Sequence, residues 1–105
     1  VELYIIRDAG RKIVAFMGLS DEQIEMLFVN PDEQGKGYGK RLLEYATQKR
    51  QMDKVDVNEQ NEKALSFYLY MGFQITGRDE TDGMGKPYPI LHLQLKEANI
   101  KESES

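Results

Sequence analysis

Short apolar runs separated by turn-forming residues fill the first third of the chain. The runs Val1 to Arg7 and Lys12 to Leu19 are apolar and β-branched, and Asp8-Ala9-Gly10 between them is typical of a turn. This pattern predicts a β-hairpin. A third strand is predicted from Gln23 to Val29, because Asn30-Pro31-Asp32 ends that run with residues that favour a turn.

The rest of the chain alternates between helical and strand-like patterns. A helix is predicted to begin among the glycines of 35–39, and its apolar positions at helical spacing are Tyr38, Leu42, Tyr45 and Ala46. Asn61 is the expected N-cap of a second helix that ends at Gly72. The apolar stripe of that helix consists of Ala64, Phe67, Tyr68 and Met71. Three further strands are predicted, over Asp53 to Asn58, Phe73 to Asp79 and Tyr88 to Leu95.

The resulting order, βββ-α-β-α-ββ, predicts the fold class. It indicates a layered α+β domain with a mixed, mostly antiparallel sheet that gains a parallel strand through a helical crossover. Residues 1–95 are expected to form this one domain. Residues 96–105 are a charged C-terminal tail, expected to be a short helical extension or frayed.

Composition narrows the possible functions. A chain of 105 residues suits one small domain. Its net charge of −4 is unfavourable for general nucleic-acid binding, and no apolar run approaches the ~20 residues that span a bilayer. With no cysteine and one histidine, His92, thiolate and multi-histidine metal sites are excluded, so no metal is predicted. Without a signal-peptide pattern, the expected location is the cytoplasm.

The strongest chemical signal is a glycine-rich segment placed between a strand and a helix. It consists of Gln34, Gly35, Lys36, Gly37, Tyr38 and Gly39. A helix N-terminus presents unpaired N–H groups, and glycines allow the backbone to approach a phosphate closely. Lys36, Lys40 and Arg41 add positive charge to an otherwise acidic chain. The segment is therefore a candidate pyrophosphate site.

Two better-known phosphate motifs do not match this segment. A P-loop requires serine or threonine after the Gly-Lys pair, and here Arg41 follows Gly39 and Lys40. The dinucleotide fingerprint is G-x-G-x-x-G after a parallel strand, whereas this segment has the spacing G-x-G-x-G. A flexible glycine loop that only caps the helix remains an alternative.

The glycine motif recurs with a second motif at a fixed distance. Q-x-x-G-x-G follows Val29-Asn30-Pro31, and Asn61-x-x-Ala64 precedes Phe67-Tyr68-x-x-x-Gly72-Phe73. Over residues 1–95 this arrangement closely resembles the GNAT superfamily of N-acetyltransferases. Gly77-Arg78 and Pro87-Tyr88-Pro89 are similar to the bacterial YjaB-type subgroup.

The resemblance implies that acetyl-CoA is the cosubstrate. The backbone from Gln34 through Lys40 would wrap the pyrophosphate. The pantetheine arm would lie between the strands 23–29 and 53–58, which splay apart in this family. Residues lining the thioester or contacting the pantetheine arm would be Leu27, Phe28, Val29, Asn61 and Ala64.

The resemblance also implies direct attack of a primary amine on the thioester. Tyr68 matches the general acid that protonates the departing thiolate, although its helical stripe alone favours a core aromatic. Glu25 is the candidate base, expected to be partly buried beside Leu27 and Val29. An exposed carboxylate at Glu25 and a water relay remain alternatives. Backbone N–H groups near Phe28 and Val29 are the expected oxyanion donors.

Other interpretations stay open at this stage. His92 is expected to be structural or to lie at the edge of a site, and Tyr88 to pack or to touch substrate. Two alternatives to an enzyme are a non-catalytic acyl-CoA-binding or regulatory module and an interaction domain whose glycines only form a turn.

The start of the chain departs from the family pattern. GNAT domains begin with one more strand and two helices, which form much of the acceptor wall. Because Val1 is not an initiator methionine, we expect a fragment, or else a homodimer that covers the exposed edge and apolar face. The expected acceptor is a small-molecule amine or a protein amino group.

Overall fold

A computed structural model describes residues 1–96 and contains the predicted elements in the predicted order. The strands are β1 Glu2–Arg7, β2 Ile13–Leu19, β3 Ile24–Val29, β4 Lys54–Asn58, β5 Phe73–Asp79 and β6 Ile90–Leu95. The helices are α1 Tyr38–Glu44 and α2 Glu62–Tyr70. Apart from Lys96, the predicted tail lies outside the described residues.

The chain divides into two compact units, one of residues 1–55 and one from residue 56 onward. In the first unit, β1, β2 and β3 form an antiparallel sheet, so the predicted hairpin and third strand are confirmed. Strand β4 joins β3 in parallel, with Val55 opposite Ile24. That pairing confirms the helical crossover, because a parallel neighbour cannot be reached by a tight turn.

A β-bulge in β3 changes which side chains face the core. Gly18 pairs with Met26, but Leu19 pairs with Ile24, so Glu25 is an extra residue without a partner on β2. The bulge resets the two-residue alternation of the strand. As a result Ile24, rather than Glu25, shares the buried face with Leu27.

The helical layer of the first unit covers one face of this sheet. A π-helical turn, Tyr45–Lys49, continues α1. The buried helical residues are Leu42, Leu43 and Ala46, whereas Tyr45 is 41% exposed and packs its ring against Tyr4, with centroids 4.9 Å apart. The predicted stripe is therefore wrong at Tyr45, since the buried side of the helix runs through Leu42, Leu43 and Ala46 and leaves Tyr45 to one side of it. Arg50 bonds to both Glu2 and Tyr4 beyond this turn.

The opposite face of the first sheet is apolar and exposed. Its side chains stand in register across the three strands, with Leu3 opposite Gly18 and Met26, and Ile5 opposite Phe16 and Phe28. The exposed fractions are 56% for Leu3, 42% for Ile5, 45% for Met26 and 46% for Phe28. The apolar face expected from the sequence is thus present, and β1 lies at the edge of the sheet.

The second unit combines a sheet with one helix. The end of β4, then β6 and β5, are neighbours in that order, and β5 pairs with β6 antiparallel. Strand β6 begins at Ile90, later than predicted. The loop before it folds locally, with Asp82 Oδ1 accepting the Met84 and Lys86 N–H groups. None of the helices within residues 1–96 has the length and apolar character needed to cross a membrane.

Candidate functional site

A rigid turn leads from β3 into the glycine segment. The Asn30 N–H donates to the Val14 carbonyl of β2 at 2.8 Å, which anchors the turn to the sheet. The Asn30 side chain accepts the Asp32 N–H at 2.9 Å, and its carbonyl accepts the Glu33 N–H at 2.8 Å. These bonds hold a short 3₁₀ turn, Pro31–Glu33, where the sequence predicted only the end of a strand.

The glycines that follow adopt conformations that other residues avoid. Gly35 and Gly37 both have φ of 86°, in the left-handed region, and α1 begins immediately after Gly37. A Cβ built at either position would meet no atom within 4 Å. Glycine is therefore required here by the backbone conformation rather than by crowding, and the space beside the backbone is open. An anionic group such as a pyrophosphate fits this arrangement.

Basic side chains accompany this backbone. Lys36 lies between the two glycines and pairs with Glu33, its Nζ 2.8 Å from Oε1. This pairing raises the pKa of Lys36. Lys40 and Arg41 are exposed on the first turn of α1, Gln34 is exposed ahead of it, and Tyr38 and Gly39 are half-buried.

The predicted thioester-lining residues of β3 do not share one face. Leu27 and Val29 are half-buried on the helix-covered side, opposite Met17 and Ala15. Phe28 points to the exposed apolar face, where its ring stacks on Phe16 at a centroid distance of 5.1 Å.

Glu25 does not have the burial expected of it. Its side chain is exposed, because the bulge puts Ile24 rather than Glu25 on the buried, helix-covered face of β3. The physical reason given for Glu25 as a base is therefore wrong, and its catalytic role stays a prediction.

In the second unit, Asn61 caps α2 as predicted. Its side-chain oxygen accepts the Ala64 N–H at 3.2 Å. The cap fixes the side chain of Asn61 at the start of the helix, with Ala64 half-buried one turn later.

Tyr68 is a buried residue of α2. Its side chain is 5% exposed and its ring packs edge-on against Phe67 and Phe73. Burial raises the pKa of Tyr68 to about 12. Within residues 1–96 its hydroxyl has no hydrogen-bond partner. A buried hydroxyl without a partner is uncommon and suits a group that a bound ligand completes.

His92 lies at the centre of a polar cluster that the sequence did not predict. Its Nδ1 is 2.7 Å from Asp56 Oδ1 on β4, and its Nε2 is 2.9 Å from Asp79 Oδ2 at the end of β5. Gly77 pairs with His92 across the ladder, and a Cβ there would come within 3.3 Å of the ring. The glycine thus leaves room for the imidazole.

The geometry of this cluster favours the positively charged form of the ring. A neutral imidazole carries one N–H, so one nitrogen would face a carboxylate oxygen without a proton between them. An imidazolium donates to both carboxylates. Accordingly, the hydrogen bonds to Asp56 and then Asp79 raise the pKa of His92. Both ring nitrogens are thus occupied, and His92 is unsuited to act as a general base.

A pocket of about 470 Å³ opens beside this cluster. Its acidic lining comprises Asp56, Asp79, Glu80 and Asp82, and His92 lies on its wall. Because the partners of His92 come from two other strands, they could be found only once the strand order was known. Within the described range, no group of three or more His, Asp or Glu side chains is arranged to hold a metal ion.

Comparison with known proteins identifies the family. Residues 1–75 match the family model described as an acetyltransferase (GNAT) domain. The chain belongs to the GNAT acetyltransferase family. This membership confirms the resemblance drawn from the two motifs, and the fold class drawn from the element order.

Named relatives of this GNAT chain include a curated enzyme and two solved structures. Peptidyl-lysine N-acetyltransferase YjaB of Salmonella typhimurium is 49% identical over 80 residues, which are 76% of this chain and 55% of that protein. The solution structure of apo YjaB from Escherichia coli has a TM-score of 0.78 at 41% identity and covers 88% of this chain and 63% of that one.

The second solved structure shares the fold at lower identity. It is a putative streptothricin acetyltransferase from Bacillus anthracis in complex with acetyl coenzyme A, with a TM-score of 0.73 at 24% identity. The match covers 89% of this chain and 61% of that one. The chain spans about half the length of the curated YjaB relatives it matches.

The His92 cluster predicts a pH-dependent stability. Because the folded-state pKa of His92 lies above its unfolded value of about 6.5, the stabilisation is complete below that value and is lost as pH rises through the folded pKa. His92 is the sole histidine, so NMR titration reports its pKa directly. We expect Asp56→Asn to lower the pKa most and Asp79→Asn to lower it less.

Glu80→Gln is the matched control, since it removes a charge from the same pocket without removing a hydrogen bond to the ring. If all three variants lowered the pKa of His92 equally, the general field of the pocket, and not the two hydrogen bonds, would be its cause.

Proposed function

We propose that this chain carries the cosubstrate-binding part of an N-acetyltransferase that moves acetyl from acetyl-CoA to a primary amine. The observation that carries the proposal is the left-handed conformation of Gly35 and Gly37 between an anchored turn and the start of α1. Membership of the GNAT family supports the same activity.

The pyrophosphate of CoA would lie against the backbone of residues 34–40. Its negative charge would be met by the N–H groups at the start of α1 and by Lys36 and Lys40. The pantetheine arm would run along β3, where the thioester meets Leu27, Phe28 and Val29. Asn61 would donate its amide N–H groups to the arm, with Ala64 beside it.

The chemical step would be direct attack of the amine nitrogen on the thioester carbonyl. A lysine-like amine, with a pKa near 10.4, must first lose a proton at a cost of about 4.6 kcal/mol at pH 7. Glu25 remains the candidate base, acting from an exposed position or through water. Backbone N–H groups near Phe28 and Val29 would stabilise the oxyanion before the C–S bond breaks.

Tyr68 would donate its proton towards the departing thiolate. With a pKa of about 12, it is protonated at neutral pH. Complete transfer to a free thiolate of pKa ~8.5 would be uphill by about 5 kcal/mol. Tyr68 is therefore expected to act through a strong hydrogen bond while the C–S bond breaks. Its buried, unpartnered hydroxyl favours an enzyme over a non-catalytic acyl-CoA-binding module.

The acceptor would be a primary amine that is protonated in solution and reacts after it has lost its proton. The YjaB relative is named as a peptidyl-lysine acetyltransferase, which supports a protein lysine, and a small-molecule amine is the second candidate class. A nucleic-acid partner and a membrane partner are not expected from the net charge and the apolar pattern. A cytoplasmic location stays a prediction from the sequence.

The exposed apolar face of the first sheet would promote self-association of this chain. Leu3, Ile5, Met26 and Phe28 form a continuous patch, and patches of this kind seldom stay in contact with water in monomeric proteins. We therefore expect a homodimer of the 105-residue chain.

The binding proposal is tested by titrating CoA while recording backbone amide shifts. The amides of residues 35–40 should move most, because their N–H groups would meet the pyrophosphate. Amides of the loop 82–87, which also contains glycines, serve as the internal control. Movement elsewhere without movement at residues 35–40 would refute this site.

Tyr68→Phe tests the proton donor. It keeps the ring that packs on Phe67 and Phe73, so stability should change little. We expect turnover with an amine acceptor to fall at least about tenfold while CoA affinity stays within about twofold, since only a transition-state interaction is lost. An unchanged turnover number would return Tyr68 to a purely structural role.

Self-association is tested by sedimentation of the 105-residue chain beside its Leu3→Glu variant. Leu3 is the most exposed of the four side chains of the apolar face, so a charge at position 3 should shift the chain to monomer. Met84→Glu is the control, because Met84 is an exposed methionine of the β5–β6 loop, and it should leave the association state unchanged. A monodisperse monomer of the unchanged chain would contradict the expectation.

A further inference from the structure

We propose that the Glu33 carboxylate competes with coenzyme A for Lys36 and thereby sets the affinity of the chain for this cosubstrate. The inference rests on the proposed function, because it concerns the same glycine segment. It adds an acidic residue that lies just ahead of the Q-x-x-G-x-G pattern.

Glu33 is held in place independently of Lys36. It is the last residue of the 3₁₀ turn, and its N–H donates to the Asn30 carbonyl, which belongs to a residue bonded to Val14 of β2. Its side chain is only 17% exposed. The carboxylate is therefore presented to the glycine segment by a part of the backbone that is fixed to the sheet.

Lys36 is placed to meet either anion. Its backbone is flanked by Gly35 and Gly37, whose left-handed conformations set the path of the loop. Its side chain is 57% exposed, and its Nζ lies 2.8 Å from Glu33 Oε1. Because the Lys36 side of this ion pair is open to solvent, the pair is weak enough for a phosphate to displace the carboxylate, which nevertheless remains an internal competitor.

The cost to CoA binding arises in both possible bound arrangements. If Lys36 turns to the phosphates, its bond to Glu33 is lost. If Lys36 keeps that bond, a carboxylate stays beside the phosphates and repels them. Replacing Glu33 by glutamine removes the charge with little change of shape, so it should tighten binding, by about three- to tenfold at low salt.

The experiment is calorimetric titration of coenzyme A into the 105-residue chain. The variants are Glu33→Gln, Lys36→Met and the double variant, which together form a double-mutant cycle. Asp32→Asn is the matched control, because Asp32 belongs to the same turn but is not the carboxylate paired with Lys36. Each titration is run at about 0.05 M and about 1 M salt, since screening at the higher concentration suppresses exposed charges.

Three results together are expected. Glu33→Gln tightens binding at low salt and more than Asp32→Asn does. The gain is lost in the Lys36→Met background, and it shrinks at high salt. If Glu33→Gln left the affinity unchanged or weakened it, or if the gain persisted without Lys36, the proposed competition between Glu33 and coenzyme A would be refuted. The proposed CoA-binding site would not be affected by that result. If the unchanged chain bound no coenzyme A, the proposed function would fail, and this inference with it.

Discussion

Two left-handed glycines determine how the first unit can present its backbone to an anion. A residue with a Cβ would be strained by roughly 1–2 kcal/mol at each of Gly35 and Gly37. On one side the Asn30 turn is bonded to β2, and on the other the Gly37 carbonyl accepts the Arg41 N–H at 3.0 Å. The glycine segment therefore connects two ends that are each held by hydrogen bonds.

The charge around this segment is balanced locally. The protein carries a net charge of −4, yet the basic residues Lys36, Lys40 and Arg41 cluster where α1 begins. Glu33 neutralises one of them. The backbone dipole and two exposed cations would attract a polyanionic cosubstrate, and one internal carboxylate would repel it. Its affinity would then depend on the small difference between this attraction and this repulsion, both of which are screened by salt.

The order of elements could be predicted from the sequence because the strands are short, apolar and separated by clear turn residues. Local features that interrupt the regular spacing of apolar residues in a strand or helix could not be predicted in this way. The bulge at Glu25 shifts the alternation of β3, and a π-helical turn, Tyr45–Lys49, takes the place of the last part of the predicted α-helix. The His92 cluster could not be predicted for another reason, since it depends on which strands become neighbours in the sheet.

Tyr68 and His92 have pKa values raised in the same direction by opposite causes. Burial disfavours the phenolate of Tyr68, so the residue stays a neutral donor whose proton is committed to no described residue. Two carboxylates favour the imidazolium of His92, so both of its protons are already engaged. Of these two side chains of the second unit, only Tyr68 has a polar hydrogen that no described residue accepts. Tyr68 is therefore favoured as the proton donor because its hydroxyl has no hydrogen-bond acceptor among the described residues, and not because of the shift of either pKa.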